Sequence, residues 1–179
     1  QAVDELRALG VERVVMMTGD TPSAAKRAAA DAGITDYEAG VLPHEKVERF
    51  EAVAESVRRA YPKGTVLFAG DGINDAPVLA RSDAGIAMGA IGSDAAVQAA
   101  DIVLMNDNPR SIAEAIVIAR KTRSIVTQNI VLAFAVKALF LAGGAAGIAS
   151  LWEAVFADVG VALLALLNSL RARGKLGPR

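Results

Sequence analysis

The sequence contains no cysteine and only one histidine, and these scarcities exclude several kinds of site. Without cysteine there is no disulfide, no thiolate nucleophile and no zinc–thiolate centre, and a single histidine excludes a histidine-rich metal site. The first residue is Gln1 rather than methionine, and no charged segment with an apolar core follows it. We therefore expect a fragment of a longer protein, with no signal peptide at its start.

Net charge is also small, because 19 basic and 20 acidic residues leave a formal charge of −1 over 179 residues. The two signs are unevenly distributed: residues 1–119 carry a balance of −7 and residues 120–179 a balance of +6. We predict no nucleic-acid partner from this composition. The chain is 53% hydrophobic and 22% charged, which excludes disorder along its whole length. This uneven distribution predicts that residues 1–119 and residues 120–179 lie in different environments.

Two long apolar runs lie near the C-terminus. Residues 130–149 contain one charge, Lys137, and residues 151–170 contain two, Glu153 and Asp158. Because about 20 such residues span a bilayer, we predict a transmembrane helical hairpin, with two buried helices of a soluble core as the alternative. Both ends of the hairpin are predicted to be cytoplasmic, since basic residues flank both runs. These flanking residues are Arg120, Lys121, Arg123, Arg171, Arg173, Lys175 and Arg179.

Before the hairpin, short apolar runs alternate with helical patterns. Four runs are too short for helices and are bounded by turn residues, which predicts strands at residues 13–17, 65–69, 85–88 and 102–105. Helices are predicted at residues 22–32, 44–60 and 109–124, the last continuing into the first span. This alternation predicts an α/β fold with a parallel sheet.

Two of the predicted strands end in segments that suit a phosphate. The segment TGD, residues 18–20, follows the first strand, and GDGINDAP, residues 70–77, follows the second. Ligands of a parallel sheet bind beyond the carboxyl ends of its strands. Glycines let a phosphate approach the backbone, and Asp71 and Asp75 supply the hard oxygens that Mg²⁺ prefers. The pattern predicts a magnesium and phosphate site.

The catalytic candidates are the side chains that could meet a phosphoryl group. Asn74 can donate a hydrogen bond to a phosphoryl oxygen, Thr18 offers a hydroxyl, and Lys46 is the cation that would stabilise phosphoryl charge. Gly19 and Asp20 complete the turn after the first strand. A helix-capping turn is the alternative for the TGD segment, and a solvated helix lysine is the alternative for Lys46.

The segments TGD, PHEK and GDGINDAP, in this order and spacing, resemble the phosphorylation domain of P-type ATPases, which has a haloacid-dehalogenase-like Rossmannoid fold. The resemblance implies that Thr18 and Lys46 contact an aspartyl phosphate derived from ATP, and that Asp71 binds Mg²⁺. It also implies that Asn74 and Asp75 support phosphate and metal. The family's nucleophilic aspartate lies in a DKTGT segment that this sequence lacks. The expected partners are therefore the rest of the same pump: its nucleotide-binding and actuator domains and its other membrane helices.

The two apolar runs resemble the last two spans of the P1B subgroup that exports zinc, cadmium and lead. In that subgroup an aspartate, here Asp158, contributes to the site of the transported metal, and a lysine, here Lys137, is a built-in countercation. A pair that only neutralises two charges in the membrane is the alternative. A carboxylate ligand favours Zn²⁺ or a similar divalent metal over Cu⁺.

These observations predict four segments and one function. Residues 1–108 are expected to be the C-terminal part of the phosphorylation domain, 109–129 a linker helix, 130–170 two transmembrane helices in lipid, and 171–179 a cytoplasmic tail. The intact protein is expected to export a divalent metal across a bacterial plasma membrane. The alternatives are a membrane-anchored phosphatase of the same superfamily and a non-catalytic, truncated membrane regulator.

Overall fold

The computed structural model describes residues 1–70, 73–89, 94–148 and 150–173. The chain divides into two compact units, Gln1–Ala113 and Glu114–Arg179. In chain order the main elements are α1 (Ala2–Ala8), β1 (Val15–Met17), α2 (Pro22–Ala32), β2 (Asp36–Glu38), α3 (Lys46–Ala60), β3 (Leu67–Gly70), α4 (Ala76–Leu79), β4 (Ala84–Met88), α5 (Asp94–Ala99), β5 (Ile102–Leu104), α6 (Arg110–Ala145) and α7 (Leu151–Ser169).

The first unit has the predicted α/β fold, with every described strand pairing in parallel. Strand β1 pairs with β2, and β3, β4 and β5 form a three-stranded sheet in that order. All four predicted strands are present, with ends shifted by at most two residues. Strand β2 was not predicted, because its residues Asp36, Tyr37 and Glu38 form no apolar run.

Helix α2 begins and ends at the predicted residues. Pro22 occupies the first helical position, where a missing N–H costs nothing. Gly33 follows the helix in a left-handed conformation with φ +73°, and its N–H donates to the carbonyl of Ala30 at 3.1 Å. The predicted helix at residues 44–60 begins two residues later, at Lys46.

The core of the first unit holds α3 against the sheet. Phe50 and Ala54 lie four residues apart on one face of α3 and are buried together with Val78 of α4. Phe68 of β3 meets Phe50 edge-to-face, with ring centroids 5.7 Å apart. A second cluster joins α4, β4 and α5. This packing fixes the beginning of α3 relative to the carboxyl end of β3, where the candidate site lies.

Asp83 connects the segments that enter β3 and β4. Its carboxylate accepts hydrogen bonds from the N–H of Val66 and from the guanidinium of Arg58, both at 2.8 Å, and its own N–H donates to the Val66 carbonyl at 3.0 Å. These bonds favour the charged carboxylate. The Val66 N–H, and after it Arg58, hold the pKa of Asp83 below its ordinary value of 3.8.

We expect Asp83→Asn to lower the free energy of unfolding by about 1 kcal/mol at neutral pH, because charged acceptors make the stronger hydrogen bonds. A carboxyl whose folded pKa is lowered stabilises the fold above its unfolded pKa and loses that contribution as pH falls through the folded value. The difference from the parent, measured by urea titration in detergent, should therefore shrink below pH 3.8. Asp31→Asn, exposed on α2, is the control. A difference that stays constant through acid pH would contradict the assignment.

The second unit contains two helices that are long and apolar enough to span a membrane. Helix α6 runs without interruption into the first apolar run, as predicted, and it begins at Arg110, one residue after the predicted start. It ends at Ala145, four residues before the end of the apolar run. Gly147, with φ +71°, makes the turn. Helix α7 then begins with a capping box, in which Glu153 accepts from the Ser150 N–H at 2.7 Å and donates its own N–H to Ser150 Oγ.

Candidate functional site

The TGD segment forms a turn directly after β1. Thr18 Oγ1 donates to Asp20 Oδ2 at 3.0 Å and accepts from the Asp20 N–H at 3.1 Å. The N–H of Gly40 donates to the Asp20 carbonyl and that of Val41 to the Thr18 carbonyl, which attaches the turn to the loop before α3. The N-cap of α2 is Thr21, and its side chain makes no capping hydrogen bond. The helix-capping alternative is thus met in position, since Thr21 is the N-cap, but without the capping hydrogen bond.

Lys46 and Asp75 form an ion pair at the edge of the core. Lys46 Nζ lies 2.6 Å from Asp75 Oδ1, and the two side chains are 18% and 7% exposed. Lys46 is the first residue of α3, and Asp75 ends the short 3₁₀ helix Ile73–Asp75. Little water reaches the pair, so each charge depends on the other for its stability. The solvated-lysine alternative for Lys46 is therefore wrong.

Gly70, the last residue of β3, leaves the space that Asp75 occupies. A Cβ at this position would lie 2.7 Å from Asp75 Oδ2 and 2.8 Å from Asp75 Cβ, closer than real Cβ atoms approach. The glycine therefore lets the carboxylate lie directly against the end of the strand. Because Asp75 holds Lys46, Gly70 also determines where the ammonium lies.

We expect Gly70→Ala to displace Asp75 and to destabilise the first unit by about 1–3 kcal/mol, the usual cost of overpacking. The displacement should move Lys46 as well, so phosphate binding at the predicted site should fall together with stability. Thermal unfolding and phosphate-binding assays on the same preparation measure the two effects. Parent-like behaviour in both assays would show that Gly70 does not shape the site.

The structure brings together some of the predicted phosphate-site residues. It pairs Thr18 with Asp20 and Lys46 with Asp75, and it leaves Gly19 and Asn74 exposed. The loop that starts α3 connects the two pairs through backbone hydrogen bonds. Asp71, predicted to bind Mg²⁺, lies outside the described residues. Within the described part of the chain, no three acidic or histidine side chains form a group that could hold a metal.

The second candidate site lies in the hairpin. Lys137 Nζ is 3.8 Å from Asp158 Oδ1, and the two side chains are 66% and 73% exposed. A groove of about 320 Å³ between α6 and α7 includes both residues. Its other lining residues are Ala133, Val136, Phe140, Leu141, Ala154, Val155, Ala157, Val159 and Val161. Ionisable groups inside a membrane normally face a helix bundle or water rather than lipid, which makes this pair a candidate site.

Sequence reasoning missed one polar cluster, which we call the amide cluster: Gln128, Asn129, Asn168, Ser169 and Arg171. Hydrogen bonds join its members across α6 and α7 and at the C-terminal end of α7. The only signal in the sequence was that each apolar run has an asparagine near the end remote from the turn.

Comparison with known proteins identifies the class of the first unit. A family model described as a haloacid dehalogenase-like hydrolase matches residues 1–83, which include β1 to β3 and the Lys46–Asp75 pair. A crystal structure of a zinc-transporting PIB-type ATPase in the E2.Pi state superposes with a TM-score of 0.84 and 37% identity, covering 96% of this chain and 27% of that one. The fold and the site thus define a haloacid-dehalogenase-like domain of the P-type ATPase kind.

Sequence relatives of known names make the family assignment more specific. The zinc-transporting ATPase of Synechocystis sp. is 56% identical over 171 residues, covering 96% of this chain and 23% of that protein. The cadmium, zinc and cobalt-transporting ATPase of Bacillus subtilis is 53% identical, covering 96% and 24%. Over 96% of its length the chain is similar to zinc- and cadmium-transporting ATPases of the PIB type, which confirms the predicted resemblance. It spans about a quarter of the length of these relatives.

Proposed function

We propose that this chain is part of an ATP-driven exporter of Zn²⁺ or a similar divalent metal. One observation carries the proposal: a chain 56% identical to a zinc-transporting ATPase has a buried lysine–carboxylate pair at a strand end and an exposed lysine–carboxylate pair in an apolar hairpin. The first pair would serve phosphoryl transfer and the second metal transport. The four segments that we propose are residues 1–108, 109–129, 130–170 and 171–179, with the roles predicted from the sequence.

Lys46 would stabilise the negative charge of the phosphoryl group on an aspartate supplied by another part of the pump. Its ammonium is held at the end of β3 by Asp75, so little reorganisation is needed when the phosphoryl group arrives. The Thr18 hydroxyl, which donates to Asp20 in the structure, would rotate to a phosphoryl oxygen. Asn74, exposed beside Asp75, would donate to another oxygen.

The Asp75 carboxylate, which lies against the end of β3, is a donor of the kind that suits Mg²⁺. Asp71 and Asp75 would hold it, because carboxylate oxygens are the hard ligands that Mg²⁺ prefers. When bound, the ion would neutralise charge on the phosphoryl oxygens. The Asp75 carboxylate would also keep Lys46 in place, so it would serve both cations at the site.

Asp158 would bind the transported metal through its carboxylate. Without the metal, the Lys137 ammonium at 3.8 Å would balance the aspartate, so that neither charge stands alone in the membrane. Arrival of a divalent cation would displace the ammonium from the carboxylate. Because the Lys137 ammonium competes with the metal for the Asp158 carboxylate, the Lys137–Asp158 contact would promote release of the metal.

The pump would lie in a bacterial plasma membrane with both ends of the hairpin on the cytoplasmic side. The two helices are long and apolar enough to cross a bilayer. The charge balance of +6 from residue 120 onward follows the positive-inside rule. The nucleotide-binding and actuator domains, and further membrane helices to complete the metal site, would come from the rest of the pump.

The test is formation of a phosphoenzyme by the intact pump from ATP labelled in its γ-phosphate. We expect label to enter the protein only when Zn²⁺ and Mg²⁺ are both present, as an acyl phosphate that hydroxylamine removes. Incorporation of label that is the same with and without Zn²⁺ would contradict the proposal. Zn²⁺-independent hydrolysis of phosphate monoesters would favour the membrane-anchored phosphatase, and the absence of any phosphoryl chemistry would favour the regulator.

A further inference from the structure

The amide cluster joins α6 to α7 at the end of the hairpin remote from the turn. Asn129 Nδ2 donates to the Ala165 carbonyl at 3.2 Å and to Ser169 Oγ at 2.9 Å. In the opposite direction, Asn168 Nδ2 donates to Asn129 Oδ1 at 2.8 Å. Both asparagines are half-buried. The two amides therefore bond across the helices in both directions.

Further contacts fix the orientation of Asn168. Its Nδ2 also donates to Gln128 Oε1 at 3.3 Å, and its Oδ1 accepts from Arg171 Nη1 at 2.9 Å. Donor and acceptor ends of this amide are thus both engaged, so a flipped side chain would lose contacts at each end. The pair formed by Asn129 and Asn168 is a defined link rather than an incidental contact.

A link of this kind determines how far one helix can slide along the other. The groove between α6 and α7 is lined mainly by apolar side chains. Apolar surfaces in lipid specify an axial position weakly, whereas a hydrogen bond between helices is lost after a small shift. Sliding by one residue moves a helix by about 1.5 Å, enough to break bonds of 2.8–2.9 Å.

The spacing from the link places the membrane ion pair. Lys137 lies eight residues beyond Asn129, about 12 Å along α6, and Asp158 lies ten residues before Asn168, about 15 Å along α7. The helices run antiparallel, so both residues are on the same side of the link, and their heights differ by about 3 Å. This agrees with the 3.8 Å separation of Nζ and Oδ1.

We propose that the Asn129–Asn168 pair sets the register of α6 against α7 and thereby holds Lys137 beside Asp158. Both asparagines are then positioning residues for the membrane metal site, acting about 12–15 Å from it. The inference rests on the proposed function, because it assigns them an effect on metal transport through Asp158. It predicts that loss of the link weakens the response to metal and leaves the phosphate site intact.

The experiment measures, in the intact pump, the Zn²⁺ concentration that gives half-maximal phosphorylation by ATP. Asn129→Ala and Asn168→Ala should each raise it by about three- to tenfold, and the double variant should be no worse than the more affected single variant. Thr127→Ala is the matched control. Thr127 lies two residues before Asn129 in α6 and donates within its own helix, to the Arg123 carbonyl at 2.9 Å. Its variant should stay within about twofold of the parent.

Two further readouts separate positioning from general damage. Phosphorylation by inorganic phosphate without transported metal should be parent-like in every variant, because it uses only the phosphate site. The absorption spectrum of bound Co²⁺, which reports ligand geometry, should change in the asparagine variants and not in Thr127→Ala. Asn129→Asp, which keeps the acceptor for Asn168 Nδ2, should recover part of the Zn²⁺ response.

The inference is overturned if the asparagine variants keep the parent's Zn²⁺ response and Co²⁺ spectrum. It is also overturned if they lose phosphorylation by inorganic phosphate, since the asparagines would then support the fold in general. Failure of the proposed function would instead appear in the parent pump, as phosphorylation by ATP that does not depend on Zn²⁺. In that case the inference falls with it.

Discussion

Asp158→Ala in the intact pump should reduce Zn²⁺-stimulated phosphorylation by ATP by about a hundredfold or more, because under the proposed function it removes a ligand of the transported metal. The variant also leaves the Lys137 ammonium without the carboxylate that lies 3.8 Å away. Under the proposed function, the pump would not accept phosphate from ATP unless the metal is bound. The measurement is incorporation of label from ATP over a range of Zn²⁺ concentrations.

A matched variant tests whether the effect is specific to the membrane site. Glu153→Gln also removes an acidic charge from α7, but that residue belongs to the capping box with Ser150 and should retain the Zn²⁺ response. Phosphorylation by inorganic phosphate should persist in Asp158→Ala, since the phosphate site lies in the other unit. If Asp158→Ala kept a parent-like Zn²⁺ dependence, Asp158 would not be a ligand.

The second large effect concerns the phosphate site. Lys46→Met should abolish turnover and lower the free energy of unfolding by about 3 kcal/mol, because it leaves the buried Asp75 carboxylate without its lysine. The side chain of methionine is about as long as that of lysine and fills the same space without the charge. ATPase activity and thermal unfolding measure the two consequences separately.

The double variant Lys46→Met with Asp75→Asn distinguishes charge from packing. It removes both members of the ion pair, so most of the lost stability should return. Turnover should stay absent, because neither substituted side chain carries a positive charge to the phosphoryl group. Recovery of turnover in the double variant would show that Lys46 serves only to neutralise Asp75.

Elements whose sequence signals lie within a few residues could be predicted, whereas elements that depend on distant partners could not. Helix α2 was predicted to the residue, because Pro22 and Gly33 are signals that act within a few positions. Strand β2 could not be predicted, since Asp36, Tyr37 and Glu38 form a strand only through pairing with β1. The capping box at Ser150 had a recognisable signal, a serine three residues before a glutamate, and it explains Glu153 without a role in transport.

The contacts within the candidate sites were likewise harder to predict where they join residues far apart in the sequence. The strand ends indicated the candidate residues of a phosphate site, but the pairing of Lys46 with Asp75, 29 positions apart, arises from the packing of α3 against β3. The Lys137–Asp158 pair could be expected, because two charges lie at comparable depth in neighbouring apolar runs. The contacts of Asn168 and Ser169 could not be predicted, because these residues only interrupt an apolar run in the sequence. Their partner Asn129 lies about 40 positions away.

Transport itself gives the most direct test of the account. Uptake of radioactive zinc into inside-out membrane vesicles should be measured for the intact pump and for Asp158→Ala, with and without ATP. The account predicts ATP-dependent uptake by the parent and none by the variant, although the variant still accepts phosphate from inorganic phosphate. ATP-dependent zinc uptake that survives the loss of Asp158 would contradict it.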